Sequence, residues 1–252
     1  MERLSSIHVL EVTMLRLCAL MTALALVPLS GCGISVDWDG PAIAGSGVTT
    51  TDRRSMPAFD RIDLSGEFDV VVDVGRPRSV AITGDDNLVP LVRAEVRNGT
   101  LHIDREKDFR SRRDIRIEIG VESLNGLHSG GSSDVTVRNV RSPAFDLGVS
   151  GSSDLFASGE FGDLDASISG SGEIHLDGSA GEIEGSVSGS GELDMLQVSA
   201  RTARIDVSGS GEASVNVSER LEANVSGSGD VRYAGRPAVQ GDVSGSGSVE
   251  PI

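Results

Sequence analysis

The stretch that decides the fold runs from Ile168 to Met195 and reads ISGSGEIHLDGSAGEIEGSVSGSGELDM. Its motif is an apolar residue, then Ser-Gly-Ser-Gly, an acidic residue and a short alternating segment, and variants of it occur seven times from residue 124 onward. The acidic position marks the register, and successive copies recur at a nearly constant spacing. It is occupied in turn by Asp134, Asp154, Glu173, Glu192, Glu212 and Asp230, and finally by Ser248. A period this regular indicates stacked units that cannot bury their apolar faces alone.

The secondary structure inside each unit is predicted by apolar and polar residues that alternate, as in Ile174 to Leu176 and Val215 to Val217. The two glycines of each motif would break a helix. Each unit therefore holds two or three short strands separated by tight corners. Stacking such units brings equivalent residues about 4.8 Å apart. The predicted fold is all-β, a single-stranded right-handed parallel β-helix with an N-terminal β cap.

This geometry explains why each motif has a second glycine, because that residue stands where one strand ends and the next begins. We expect these glycines to need a positive φ or a close approach of backbones; they are Gly172, Gly191, Gly211, Gly229 and Gly247. The serines before them should form a ladder of small hydroxyls, comprising Ser171, Ser190, Ser210, Ser228 and Ser246. No His or Lys recurs with these serines to act as a base, so the pattern does not favour nucleophilic catalysis.

Residues 58–123 show longer alternating segments, such as Phe68 to Val74 and Ile115 to Val121. Asn98-Gly99 between apolar residues predicts a hairpin turn and at least one antiparallel pair. We interpret this region as the first coils plus a cap, continuous with the coils of 124–252. The far end is also expected to be capped, because Pro251 cannot donate a hydrogen bond to another strand and Glu250 discourages pairing.

The N-terminal segment is typical of an export signal. Arg16 precedes 13 nearly apolar residues, LCALMTALALVPL, which are too few to span a bilayer but suit the core of a secretory signal. Leu29-Ser30-Gly31-Cys32 then resembles a bacterial lipobox. That resemblance implies cleavage before Cys32 and acylation of its thiol, and with Gly33 next it implies sorting to the outer membrane in a Gram-negative cell. A conventional signal with an incidental cysteine is the alternative.

The predicted organisation is a lipoprotein signal at 1–31, a lipid-anchored flexible tether at 32–57, and the β-helix domain at 58–252. Met1 and Met14 are both possible starts. Cys18 would be removed with the signal, which leaves Cys32 as the last cysteine and excludes a disulfide within the chain. The tether mixes Gly, Ser, Thr and Pro without a sustained period.

Charge narrows the possible partners. The chain has 38 acidic and 22 basic residues, a net charge of −16, so nucleic acid is not expected as a partner. Between residues 124 and 252 there are 19 acidic and seven basic residues. The acidic column of the repeated motif is the candidate interaction surface. It has two interpretations, a solubilising face that deters aggregation or a site for divalent cations or cationic ligands, and one carboxylate per coil does not by itself complete a Ca²⁺ site.

Other reactive residue types form no convincing cluster. His102, His128 and His175 are far apart in sequence, and no second cysteine remains to complete a zinc set, so we predict no metal and no cofactor. Asp85-Asp86-Asn87 between two apolar segments is first of all a turn. No catalytic residues are predicted, although two carboxylates remote in sequence could still meet in space as in a glycosidase.

Four segments in order resemble one bacterial family, the putative auto-transporter adhesin, head GIN domain. They are FDRIDLSGEFDVVVDVG (59–75), VAITGDDNLVPLV (80–92), NGTLHI (98–103) and LNGLHSGGSSDV (124–135) with the coils that follow. The resemblance covers about residues 58–250. It implies a right-handed β-helix, export or lipid anchoring and an adhesive role, and it brings no set of catalytic residues.

Three functional hypotheses remain open. The first is a noncatalytic, lipid-anchored protein of the cell envelope, bound to the membrane through its N-terminal lipid, that presents an acidic β-helix surface to an envelope glycan or protein partner. The second is a protein that binds or cleaves envelope polysaccharide. The third is a scaffold assembled by end-to-end stacking of coils, against which Pro251 argues. The oligomeric state is not predicted.

Overall fold

A computed structural model describes residues 42–111 and 113–252, and these residues belong to one compact unit. They form a β-solenoid of about seven turns, without an α-helix in the described part of the chain. The prediction of an all-β parallel β-helix with an N-terminal β cap is confirmed. In chain order the strands are β1 Ile43–Ala44, β2 Thr49–Arg54, β3 Arg61–Gly66, β4 Asp69–Val74, β5 Ser79–Asp85, β6 Val92–Arg97, β7 Thr100–Arg105, β8 Phe109–Arg110, β9 Arg116–Val121, β10 Gly126–Gly131, β11 Asp134–Gly151, β12 Asp154–Gly170, β13 Glu173–Gly189, β14 Glu192–Gly209, β15 Glu212–Gly227, β16 Asp230–Gly235, β17 Ala238–Gly245 and β18 Ser248–Pro251. One 3₁₀ turn, Val89–Leu91, precedes β6.

The coils differ from the prediction in how their strands are divided. Each of β11 to β15 has 16 to 18 residues and runs almost the whole way round its coil. The strand of each coil ends at the Ser-Gly-Ser-Gly motif, where two residues separate it from the next strand. At the other corners parallel pairing continues or resumes after a short register shift, such as the one between Val137 and Val140. The predicted two or three short strands per coil are therefore one long bent strand, in which pairing to the neighbouring coils is interrupted only by short register shifts.

The two glycines of each motif have separate roles. A positive φ belongs to the first glycine, as in Gly170 (φ 135°) and Gly189 (φ 126°), and not to the second glycine. The second glycine is needed for close approach: a Cβ on Gly191 would lie 2.6 Å from the carbonyl oxygen of Gly172. Of the two expected reasons, close approach is correct for the second glycine. The serine between them is exposed, and its N–H bonds to the preceding coil, as from Ser190 to the Gly170 carbonyl oxygen at 2.9 Å.

The core is built from apolar columns that follow the same register. Val149 lies opposite Ile168, and Ile168 opposite Val187, and the same column continues to Val207 and Val225. All five are buried. Stacking like on like lets branched side chains of adjacent coils pack without gaps, which stabilises each coil by burying apolar area against the next.

The N-terminal region supplies the first coils and the cap, as predicted. β3 pairs in parallel with β10, and β4 pairs in parallel with β11, so the coil ladder continues into this region. β5 and β6 run antiparallel to β9 and β7 and close the end of the stack. The predicted hairpin joins β6 to β7 through Asn98 (φ 51°) and Gly99 (φ 81°), which is the type I′ geometry that this dipeptide favours.

The predicted tether is corrected in its second half. β2 lies within residues 32–57 and pairs antiparallel with β5, while β1 pairs with β8. Residues 43–54 are thus part of the folded domain and not a flexible linker. Their sequence lacks apolar alternation because β2 is an edge strand whose side chains are mostly exposed.

The C-terminal coil is less covered than predicted. Within the described residues β17 pairs only with β15, and β18 only with β16. Val239 and Val243 of β17 are about two-fifths exposed, at 41% and 42%. Pro251 nevertheless lies in β18 opposite Tyr233, where its missing N–H removes one donor from the free edge.

The signal segment, Cys32 and the first part of the predicted tether lie outside the described residues. The export signal, the lipidation of Cys32 and the first part of the tether therefore stay predictions. Among the residues that are described, no helix has the length and apolar character needed to cross a membrane.

Candidate functional site

The acidic column is a continuous row of lateral neighbours. In the parallel register each member of the column lies directly opposite the next. The six predicted members are all in this row: Asp134, Asp154, Glu173, Glu192, Glu212 and Asp230. All point outward from buried neighbours and are exposed or half-exposed. The structure adds a seventh carboxylate, because Asp69 of β4 lies opposite Asp134. We call these seven residues the acidic ladder.

Polar donors close both ends of the acidic ladder. At the N-terminal end Arg116 lies opposite Asp69, and its guanidinium donates to the Asp69 carboxylate at 3.0 Å. At the C-terminal end the N–H and the hydroxyl of Ser248 both donate to Asp230 Oδ1, at 2.8 Å each. Ser248, which replaces the acidic residue in the seventh motif, therefore ends the ladder by donating hydrogen bonds to its last carboxylate.

Basic side chains lie beside only part of the acidic ladder. The His175 ring lies 3.4 Å from Glu173 Oε2 and 3.5 Å from Asp194 Oδ2, and Arg232 lies 2.7 Å from Glu212. Asp154 has no ion-pair partner among the described residues. Loss of hydration raises the pKa of Asp154, and the charges of Glu173 and Asp134 raise it further, while His175 lowers it. Repulsion between neighbouring carboxylates of the ladder is thus the second cause of this shift, after lost hydration.

A second acidic surface was missed by the sequence analysis. Asp146, Asp165 and Glu184 lie opposite one another on successive coils. Together they line a shallow cavity of about 310 Å³, which also contains Asp163 and Glu182. The signal was present, since Asp146, Asp165 and Glu184 repeat at the coil period, but they lie outside the Ser-Gly motif on which the register was based. We call this feature the acidic cavity.

Arginines lie at both ends of the acidic cavity. Arg61 Nη1 lies 3.0 Å from Asp146 Oδ2, and Arg204 pairs with Glu222 and, at 3.2 Å, with Asp206. Asp165 lies in the same cavity. Loss of hydration raises the pKa of Asp165, and the adjacent charges of Asp146 and Glu184 raise it further. Carboxylates grouped in one cavity can accept hydrogen bonds from the hydroxyl groups of a ligand.

The three histidines of the described residues, His102, His128 and His175, lie at the surface, as expected, and each has a carboxylate neighbour. His102 Nδ1 is 3.4 Å from Asp63 Oδ2, and His128 Nε2 is 3.2 Å from Asp146 Oδ2. They remain separate from one another. Within residues 42–111 and 113–252 no group of three or more His, Cys, Asp or Glu side chains could hold a metal ion.

The Asp85-Asp86-Asn87 segment is a turn, as predicted, and its polar groups are used structurally. Asp85 is buried and accepts a hydrogen bond from the Ser111 hydroxyl at 3.0 Å. Asn87 donates to the carbonyl of Ala44 and accepts from the N–H of Ser46, both at 2.9 Å. The turn therefore fastens the chain between β1 and β2 onto the cap.

The acidic ladder, the acidic cavity and the coils up to β16 all fall within a segment that one family covers. The family described as putative auto-transporter adhesin, head GIN domain matches residues 58–237. The chain belongs to that family. The family resemblance stated from the sequence is thereby confirmed. The head GIN domain of this chain runs from just before β3 to just before β17, so it includes every residue of the acidic ladder.

Solved structures share the head GIN fold. A putative adhesin from Bacteroides fragilis is 22% identical with a TM-score of 0.74, and one from Parabacteroides distasonis is 26% identical with a TM-score of 0.66. A putative lipid binding protein from Parabacteroides distasonis is 26% identical with a TM-score of 0.65. Each match covers 84% of this chain and 100% of the other. Among curated proteins no relative matches the chain.

Proposed function

We propose that this protein is a noncatalytic adhesin of the cell envelope, anchored by lipid at Cys32, whose β-helix presents the acidic ladder to a partner. The observation that carries the proposal is the register of the ladder: seven carboxylates occupy one position on seven laterally paired strands. Membership of a family described as adhesins supports the same role.

The ladder suits binding because its backbone is held in paired strands while its carboxylates are exposed or half-exposed. Every ladder residue lies on a strand whose inward neighbours are buried, as Leu155 and Ile174 are beside Asp154 and Glu173. Carboxylates accept hydrogen bonds from hydroxyl groups and pair with cationic groups. Spaced about 4.8 Å apart, they can engage a repetitive partner at several points at once.

The anchor is supported by the segment before the domain. The apolar core at 17–29 ends in the lipobox-like tetrad at 29–32, and Cys32 is the last cysteine of the chain. Two or three acyl chains hold a protein on a membrane stably where one does not. Export to the envelope, and to the outer membrane in a Gram-negative cell, follows from the same segment.

The adhesive role is tested by neutralising the ladder on cells that display the full-length protein. The test variant combines Asp154→Asn, Glu173→Gln and Glu192→Gln. The control combines Asp177→Asn, Glu219→Gln and Asp242→Asn, which are exposed acids outside the ladder with no ion pair among the described residues. We expect binding to a glycan array and to envelope preparations to fall at least several-fold in the ladder variant alone. Equal binding by the wild type and both variants would contradict the proposal.

One observation favours the second hypothesis, a protein that acts on polysaccharide. The acidic cavity brings the carboxyl groups of Asp146, Asp165 and Glu184 together on adjacent strands, and a pair of carboxyl groups is what glycosidases use. Release of reducing sugars from envelope polysaccharide, abolished by Asp165→Asn and unaffected by Asp177→Asn, would support cleavage. Absence of release from all substrates would leave the noncatalytic role.

A further inference from the structure

The cap carries a concentration of arginine on one surface. A shallow cavity of about 850 Å³ opens on the outer face of β2, β4, β5 and β9. Six arginines line it, namely Arg53, Arg54, Arg76, Arg78, Arg116 and Arg138. Only two acidic residues, Asp73 and Glu118, line it with them. In a chain of net charge −16, this cavity is therefore locally positive. We call it the arginine cavity.

Register explains why the surface is concave. Ala81 of β5 lies opposite Arg53 on one side and Glu118 on the other, and Ser79 lies opposite Gly120. The middle of the sheet thus has small side chains, while long ones stand on its flanks. At Gly120 there is no room for more: a Cβ would lie 2.6 Å from the carbonyl oxygen of Pro77. Gly120 thus makes room for the backbone of Pro77, and the short side chains of Ser79 and Ala81 leave the space that a ligand can fill.

Three of the six guanidinium groups are already engaged. Arg54 lies 2.8 Å from Asp52 and donates to the carbonyls of Val89 and Val92. Arg116 pairs with Asp69 and Glu118, and Arg78 lies 3.3 Å from Glu122. These three arginines hold the walls of the cavity in place.

The other three guanidinium groups are available. Arg53, Arg76 and Arg138 are exposed, and they form no ion pair within the described part of the chain. They come from β2, from the turn after β4 and from β11, so they approach the cavity from different sides. Arg138 lies opposite Asp73 in the register. Several unpaired charges around one concavity suit a ligand with more than one anionic group.

We propose that the arginine cavity binds an oligosaccharide that bears carboxylate or sulfate groups. Guanidinium groups form paired hydrogen bonds with such oxyanions, and Ser55 and Ser79 in the lining supply hydroxyls for neutral positions of the sugar. The volume is in the range of small-ligand sites. A long nucleic acid is disfavoured, because the coils beyond the cap hold 19 acidic and seven basic residues and would repel its phosphates. The inference concerns a surface other than the acidic ladder and stands whether or not the ladder binds a partner.

Calorimetry with the full-length chain tests the proposal. The probes are tetragalacturonate, a sulfated oligosaccharide of similar length, and neutral maltotetraose at low ionic strength. We expect at least one of the anionic probes to bind, with affinity falling as salt is added, and maltotetraose to bind at least ten-fold more weakly. Which anionic probe binds identifies the oxyanion. Binding of neither, or equal binding of all three, would overturn the proposal.

Matched variants locate the site. Arg53→Gln, Arg76→Gln and Arg138→Gln together should weaken binding at least ten-fold. The control, Arg201→Gln, Arg220→Gln and Arg236→Gln, removes three exposed arginines of the coils with the same change of net charge and should keep the affinity within about two-fold. Equal losses in both variants would mean non-specific attraction and would refute a site at the cap. Unchanged melting temperatures show that both variants fold, and the adhesion assay on the ladder variant reports separately on the proposed function.

Discussion

The carbonyl oxygen of Gly170 occupies the space into which a Cβ on Gly189 would project, since the two would be only 2.3 Å apart. Gly189 also has a φ of 126°, which L residues with side chains rarely adopt. The same pair of constraints recurs at the first glycine of the motif in successive coils, as at Gly209 and Gly227. The stack can therefore hold its spacing at this corner only with glycine.

The first prediction concerns that corner. Gly189→Ala should lower the free energy of unfolding by at least about 2 kcal/mol, because it adds backbone strain to a steric clash. Ser188→Ala, at the exposed position just before it, is the control and should change stability by less than about 0.5 kcal/mol. Urea denaturation followed by circular dichroism measures both. If the two variants unfold at the same urea concentration, the corner does not need glycine.

The second prediction concerns the aromatic pair in the core. Phe145 is buried, and its ring stacks on that of Phe161 with centroids 5.4 Å apart. Phe145→Ala should cost about 3 to 5 kcal/mol through lost apolar burial and the cavity that remains. Phe156→Ala removes a ring that is 41% exposed and should cost under about 1.5 kcal/mol. A thermal melt in which both variants behave alike would contradict the packing described.

The third prediction concerns repulsion within the acidic ladder. The pKa of Asp154 is raised in the folded protein, by lost hydration and then by Glu173 and Asp134. A raised carboxyl pKa means that the charged form disfavours folding, so this group lowers stability above its folded pKa, and the penalty is relieved as pH falls through that value. Asp154→Asn should therefore raise the melting temperature at neutral pH and flatten its dependence on pH in the acidic range. Asp177→Asn is the control, and an equal rise there would point to net charge alone.

The fourth prediction concerns divalent cations. Ca²⁺ needs six to eight oxygen ligands, and the described residues hold no group of three or more potential ligands close enough to share an ion. Millimolar CaCl₂ should then leave the melting temperature of the wild-type protein unchanged beyond the effect of the same ionic strength of NaCl. A saturable increase with calcium that is absent with NaCl would restore cation binding as a role of the ladder.

The fifth prediction concerns the anchor. Cys32→Ala should move the protein from the membrane fraction to the soluble fraction, because no thiol remains to receive a lipid. Cys18→Ala is the matched control, since Cys18 lies in the segment expected to be removed, and it should leave fractionation unchanged. Membrane retention of the Cys32 variant, measured by ultracentrifugation and immunoblotting, would rule out lipidation as the anchor.

The periodic part of the fold was predictable because its contacts are periodic. Asp134 and Asp154 are one repeat apart in sequence and directly opposite in the ladder, so the spacing of the motif is itself the pairing register. The prediction of several short strands in each coil was wrong. Alternation shows which side chains point inward, but it does not show whether a strand continues through a bend. The glycine positions were predicted, but which of the two reasons applied to each depended on the backbone path.

The chain's own sequence thus determined the β-helix, the six periodic members of the acidic ladder and the hairpin at Asn98-Gly99. Tertiary structure alone decided that Asp69, far upstream of the first repeat, joins the ladder beside Asp134, that residues 43–54 fold onto the cap, and that Arg53, Arg116 and Arg138 surround one cavity. The physical reason is the separation in sequence between the strands that pair. A coil pairs with the next copy of its own motif, one repeat further along the chain, whereas the cap strands pair across variable separations that no repeated spacing encodes.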